Sequence, residues 1–175
     1  MNETISGPVV AVVLMGVCGS GKSTIGRALA VAAGGRFFDA DDFHPPANVE
    51  KMRAGIPLTD EDRQGWLESL RELLKRESGG LTAGPVFLAC SALKESYREI
   101  LRAGAPGLRF VFLQGSAELI RERMRARGGH FMPETLIESQ FQALEVPADA
   151  VVVEISMTPE EMVKRILREL GMAEE

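Results

Sequence analysis

The run Gly16-Val17-Cys18-Gly19-Ser20-Gly21-Lys22-Ser23 carries the strongest chemical signal in the chain. It satisfies the pattern G-x-x-x-x-G-K-[ST], which cradles phosphate when it lies between a strand and a helix. The glycines let the backbone turn successive N–H groups toward one point, backed by the positive end of the following helix. Lys22 then reaches the β and γ phosphates of a nucleotide, and the Ser23 hydroxyl is placed to ligate Mg²⁺.

A second group of polar residues follows the short run Arg36-Phe37-Phe38, which reads as a strand delivering Asp39, Asp41 and Asp42 at its carboxyl end. In an open parallel sheet that end faces the same crevice as the phosphate loop. Carboxylates there repel a phosphorylated acceptor and accept hydrogen bonds from hydroxyls, which points to a polyol. Asp42 reads more simply as a solvated capping residue. Arg53, a little downstream, is either a bidentate anchor for a carboxylate or a solvated surface cation. Lys94 and Arg98, spaced i and i+4, share a helix face; they form a compact positive patch or two separate surface charges. Of Arg121, Arg123, Arg125 and Arg127, residues 123 and 127 make one aligned pair and 121 and 125 the other, and one pair should face the nucleotide. The segment from Arg127 through Gly128, Gly129 and His130 to Pro133 suits a small lid that excludes water, and Gln140 beyond it can turn an amide to the cleft.

These residues need strands and helices in alternation to hold them, and the hydrophobic pattern supplies that alternation. Strands are expected over residues 9–15, 36–38, 85–89, 108–113 and 150–155, the first of them apolar and β-branched. Helices are expected over 24–33, 48–55 and from a Thr59/Asp62 capping box through 77, the last with Trp66, Leu67, Leu70, Leu73 and Leu74 inward. Further helices carry Lys94, Tyr97 and Arg98; follow a Ser116 cap; span 134–144 with Leu136, Ile137, Phe141 and Leu144 inward; and close the chain behind Thr158 and Pro159. The pattern predicts an α/β fold: a five-stranded parallel sheet with helices on both faces and right-handed crossovers. With 175 residues, 45% of them hydrophobic, one domain spanning 1–175 is expected. A net charge of −5 and no stretch of five or more like charges argue against nucleic acid or an anionic membrane as partner. Two cysteines give no disulfide framework, which suits a reducing cytoplasm.

The motifs together resemble the gluconokinase family of P-loop small-molecule kinases over nearly the whole chain. The phosphate loop matches, as do Asp39-Ala40-Asp41-Asp42-Phe43-His44-Pro45 with Asn48, Lys51-Met52, Gly55 and Pro57-Leu58. Asp60, Asp62-Arg63, Trp66-Leu67, Cys90-Ser91-Ala92-Leu93-Lys94, Tyr97-Arg98, His130-Phe131-Met132 and Ser139-Gln140-Phe141 continue the match. Ala40 departs from it, standing where many members have glycine. The resemblance implies a nucleoside-monophosphate-kinase-like P-loop fold with a lid near 127–133, and ATP- and Mg²⁺-dependent phosphorylation of D-gluconate to 6-phospho-D-gluconate, usually by a homodimer. It implies that Asp41 orients the attacking hydroxyl, with Lys22 and Arg127 completing the catalytic set. Residues 16–24, from Gly16 through Ser23 to Thr24, would bind ATP with Arg123 beside the adenine, and Asp39 would steady the metal with Ser23. His44, Arg53, Lys94, Arg98 and His130 would hold the sugar acid. A kinase for another small hydroxy acid such as shikimate would use the same cradle and acid pair. A non-catalytic nucleotide-binding switch is a third reading, weakened by the absence of an Asn-Lys-x-Asp guanine-reading motif.

Overall fold

The computed structural model describes residues 9–79, 84–126 and 134–172. The chain runs β1 (Ala11–Met15), α1 (Lys22–Ala32), β2 (Arg36–Asp39), a 3-10 turn (Ala40–Phe43), α2 (Pro46–Arg53) and α3 (Asp60–Ser78). It continues with β3 (Val86–Ala89), α4 (Glu95–Arg102), β4 (Arg109–Gln114), α5 (Ala117–Ala126), α6 (Glu134–Ala143), β5 (Val151–Glu154) and α7 (Pro159–Glu169). The strands make one parallel sheet in the order β2-β3-β1-β4-β5. From the central β1 the chain passes first to the β2-β3 side, then crosses to β4 and β5. That reversal puts the ligand crevice outside the carboxyl end of β1.

All five residues of β1 are buried, because both faces of the sheet are covered. Ala11, Val13 and Met15 pack with Trp66, Leu67, Leu70 and Leu74 of α3 and with Tyr97 and Leu101 of α4. Val12 and Leu14, pointing the other way, pack with Ile25 and Leu29 of α1, Ile120 of α5, Ile137 of α6 and Ile166 of α7. The two-layer cover predicted from strand-helix alternation is therefore present, and the loop after β1 leaves a strand clamped on both sides. No helix among the described residues is long and apolar enough to cross a membrane.

Local signals start the helices as expected. Thr59 and Asp62 form a reciprocal capping box at α3, and Thr158 with Glu161 does the same at α7, with Pro159 just inside. Two readings need correction. Lys94 is the N-cap of α4 rather than a member of it, so it does not share a helix face with Arg98. Leu136 on α6 is 37% exposed rather than inward; Ile137 alone of the α6 residues with described side chains is fully buried.

The approach to β2 is tight. Arg36 N–H donates to Pro85 O at 2.9 Å, and a Cβ on Gly35 would lie 2.3 Å from that same carbonyl oxygen. Backbone cannot retreat there without opening the β2-β3 pairing. Gly35→Ala should lower unfolding stability by about 2 kcal/mol, the usual scale of overpacking, as read from the urea midpoint.

Candidate active site

The loop between β1 and α1 takes the backbone shape its glycines allow: φ is +141° at Gly16, +81° at Gly19 and +96° at Gly21. A Cβ at Gly16 would meet Leu113 O at 2.8 Å, and one at Gly19 would meet Met124 Sδ at 2.9 Å. Space behind the loop is thus filled at these two glycines. Ser20 is fully buried, and Thr24 is exposed on the first turn of α1. Lys22 donates from Nζ to Gly16 O and Val17 O, both at 2.9 Å, so the ammonium lies against the loop's own carbonyls. Burial holds its pKa below the ordinary lysine value, opposed by the nearby Cys18, Cys90, Asp41 and Asp39.

Ser23 and Asp39 meet across the crevice. Ser23 Oγ donates to Asp39 Oδ2 at 2.6 Å, while Asp39 Oδ1 accepts from Asp41 N–H at 3.1 Å and caps the 3-10 turn. A hydroxyl and a carboxylate in contact are hard oxygen donors of the kind Mg²⁺ takes beside phosphate and water. No group of three or more His, Cys, Asp or Glu side chains that could hold a metal is found among the described residues. The donor set therefore fits Mg²⁺ shared with phosphate better than an all-protein metal cage.

Beside this pair, Asp41 is exposed at the cleft, its carboxyl pushed above the ordinary aspartate value by partial desolvation and then by Asp39. His44 stacks on Trp66 with ring centres 4.3 Å apart, and that burial lowers its pKa against the pull of Asp41. Trp66 donates from Nε1 to Ala40 O at 2.8 Å. Helical spacing correctly marks Trp66 as core, but its indole N–H also required an acceptor, which is the signal for its second task of holding the acid-bearing turn.

Arg98 and Lys94 do not make the positive patch that spacing allowed. Arg98 is 1% exposed; it donates to Glu95 at 2.8 Å, to Ala92 O at 2.8 Å and to Leu93 O at 3.2 Å. Its guanidinium holds the loop after β3, where Ala92 sits at φ +44°, and is not offered to a ligand. Lys94 Nζ donates to both Asp60 oxygens, at 2.9 and 2.7 Å, and Tyr97 OH donates to the same carboxylate. Asp60 thus joins the start of α3 to α4, a pairing across 34 positions that no local spacing announces. Arg53 lies exposed at the end of α2.

On the other flank, Arg123 donates to Ile155 O and reaches toward Gly21. With Thr24, Ile25, Met157, Pro159 and Met162 it lines a cleft of about 260 Å³ beside the loop. Arg121 pairs with Glu138 at 3.6 Å, and Gln140 Oε1 accepts from Cys18 N–H at 2.6 Å. Arg127 and His130 lie outside the described residues.

The start of α3 is held to α2 through Asp62, which accepts from Lys51 Nζ at 2.7 and 2.8 Å and from Thr59 N–H at 2.9 Å. Those bonds, the lysine's first, hold its carboxyl down to about 2. A depressed carboxylate contributes stability that is complete above its ordinary value of 3.8 and lost as pH falls toward 2. Asp62→Asn should therefore be less stable than the parent at neutral pH, and the gap should close between about pH 4 and about pH 2, as followed by denaturant midpoints.

Comparisons with known proteins agree with this geometry. The sequence profile of the shikimate kinase family matches residues 18–171. The chain is 44% identical over 181 residues to a gluconokinase of Arabidopsis thaliana, covering 95% of this chain and 94% of that one. It is 49% identical over 139 residues to the thermosensitive gluconokinase of Escherichia coli K12, covering 77% and 71%. The crystal structure of a gluconokinase from Sinorhizobium meliloti 1021 superposes with a TM-score of 0.83 at 47% identity, covering 93% and 91%. On this likeness in sequence and fold, the chain belongs to the gluconokinase family.

Proposed function

We propose that the protein transfers the terminal phosphoryl group of ATP to D-gluconate, giving 6-phospho-D-gluconate. The observation that carries the reading is the Ser23–Asp39–Asp41 chain of contacts, which joins a phosphate cradle to a carboxylate exposed at the cleft. Phosphoryl transfer asks the protein for in-line positioning and charge neutralisation more than for covalent chemistry. The loop amides and Lys22 supply the neutralisation. Ser23 and Asp39 would hold Mg²⁺, which when bound shields the phosphate charge. Arg123 and the cleft beside Thr24 would seat the adenine. We read 1–175 as one kinase domain, with Arg127 and His130 in a lid near 127–133 that contributes to phosphate and acceptor binding.

Asp41 is assigned to orient the attacking hydroxyl and to take its proton. Its raised pKa supports that role, since a base is most effective when its pKa approaches the working pH. His44, kept neutral by its stacking on Trp66, can accept or donate a hydrogen bond to a sugar hydroxyl without adding charge. Arg53, exposed at the end of α2, is assigned to the gluconate carboxylate, and Lys94 would serve it only by giving up Asp60. Arg98 acts at one remove, fixing the loop after β3.

The match to the shikimate kinase profile makes shikimate the acceptor to test against. With MgATP and a panel of sugar acids plus shikimate, ADP release should follow gluconate, and Lys22→Ala should abolish it; turnover of shikimate in preference would reverse the assignment. Asp41→Asn should lower kcat at least about a hundredfold, with ATP affinity little changed. A base must be ionised to act, so kcat/KM should be full above the Asp41 pKa and fall as pH drops through it, at a pH above 3.8. That acidic limb should vanish in Asp41→Asn, and its persistence there would remove Asp41 from the role.

A further inference from the structure

Asn48 is 4% exposed near the start of α2, a few residues after His44. Its Nδ2 donates to the backbone carbonyl of Asp62 at 2.9 Å and stands 3.5 Å from His44 Nδ1. The first contact settles which end of the amide is which. A carbonyl oxygen only accepts, so the atom facing Asp62 O is the nitrogen; with the amide reversed, two oxygens would be pressed together. One hydrogen of that nitrogen goes to Asp62, which leaves the second for the imidazole. His44 itself ends the 3-10 turn that carries Asp41, and its ring lies 12° from parallel to Trp66.

An amide nitrogen donates and does not accept, so a proton on His44 Nδ1 would set two N–H groups head to head beside a buried residue. That holds for the imidazolium and for the Nδ1–H tautomer alike, and the remaining form is the neutral ring with its proton on Nε2. The contact is long, but the polarity it imposes runs one way. The stack on Trp66 fixes the plane of the ring and Asn48 fixes its edge, because a half-turn would bring Cδ2 to the amide and strand the second hydrogen. We propose that Asn48 is a positioning residue: it holds His44 as the Nε2–H tautomer, so that the ring gives the sugar acid a hydrogen-bond donor and does not compete with Asp41 for the proton of the attacking hydroxyl. The charged groups acting on the ring are Asp41, which favours its protonation, and Arg63, which opposes it. The proposal rests on the reading that Asp41 and His44 face the sugar acid.

The chain has two histidines, so the nitrogen NMR spectrum of its imidazoles holds two sets of signals, and the set lost in His44→Phe is that of His44. At alkaline pH, in the full chain without ligands, His44 should show a bare, pyridine-type Nδ1 and a protonated, pyrrole-type Nε2. A proton on Nδ1, or the averaged shifts of two exchanging tautomers, would overturn the proposal. Asn48→Asp replaces the donor by an acceptor of the same size, so the proton should move to Nδ1; an unchanged spectrum in the folded variant would count equally against the idea, and the parent spectrum decides if that variant does not fold. For the donor role, His44→Gln keeps an N–H near the place of Nε2, whereas His44→Phe keeps only the stack. The KM for gluconate should therefore be about three- to tenfold higher in His44→Phe than in His44→Gln, the factor equivalent to one net hydrogen bond. Equal values would remove the donor role. Failure of the parent protein to turn over any sugar acid would instead count against the kinase reading, because the tautomer is read without substrate.

Discussion

A triphosphate brings several negative charges into a crevice where side-chain cations alone would have to be desolvated to meet them. Backbone amides meet that charge with dipoles already fixed in place, provided no side chain stands between them and the oxygens. The loop after β1 meets the condition at its glycines: φ is positive at 16, 19 and 21, and neighbouring atoms fill the space where two of the missing Cβ atoms would lie. The rest of the fold keeps that loop still. β1 is buried on both faces, Gly16 N–H is tied to Ser91 O at 3.2 Å, and Cys90 N–H to Leu14 O at 3.1 Å. The loops after β1 and β3 therefore move as one wall.

The wall that carries Asp39, Asp41 and His44 is built on a different principle. Its groups are polar, partly solvated and tuned against one another: Asp39 raises Asp41, while stacking on Trp66 lowers His44. The outcome is a carboxyl that ionises less readily than usual beside an imidazole that gains its proton less readily than usual. Polar pairs supplement the core packing of α3: Lys51 with Asp62 ties α2 to it, and Asp60 with Lys94 and Tyr97 ties its start to α4.

What could be read from the chain divides along the range of the interaction. The phosphate loop, the capping boxes at Thr59 and Thr158 and the inward stripe of α3 are local, fixed by neighbours within about a turn, and each lies where pattern placed it. The Lys94–Arg98 patch failed because spacing assumes that both residues are in the helix and unengaged. α4 begins one residue later, and each cation has a carboxylate of its own, one of them 34 positions away. Gln140 was expected to face the cleft, but its partner, a backbone amide at position 18, is set by how α6 packs beside α5 and is written in no local pattern. Long-range polar pairs such as these depend on the finished fold, which a period or a motif does not encode.

The stack of His44 on Trp66 has one more consequence. Trp66 is the only tryptophan of the chain, it is fastened to the backbone of the acid-bearing turn, and the ring it touches senses Asp41. Indole emission therefore comes from a single place, beside His44 and the turn that carries Asp41. Light absorbed by the indole can follow that place without a label, so the molecule carries its own gauge for the turn that bears Asp41.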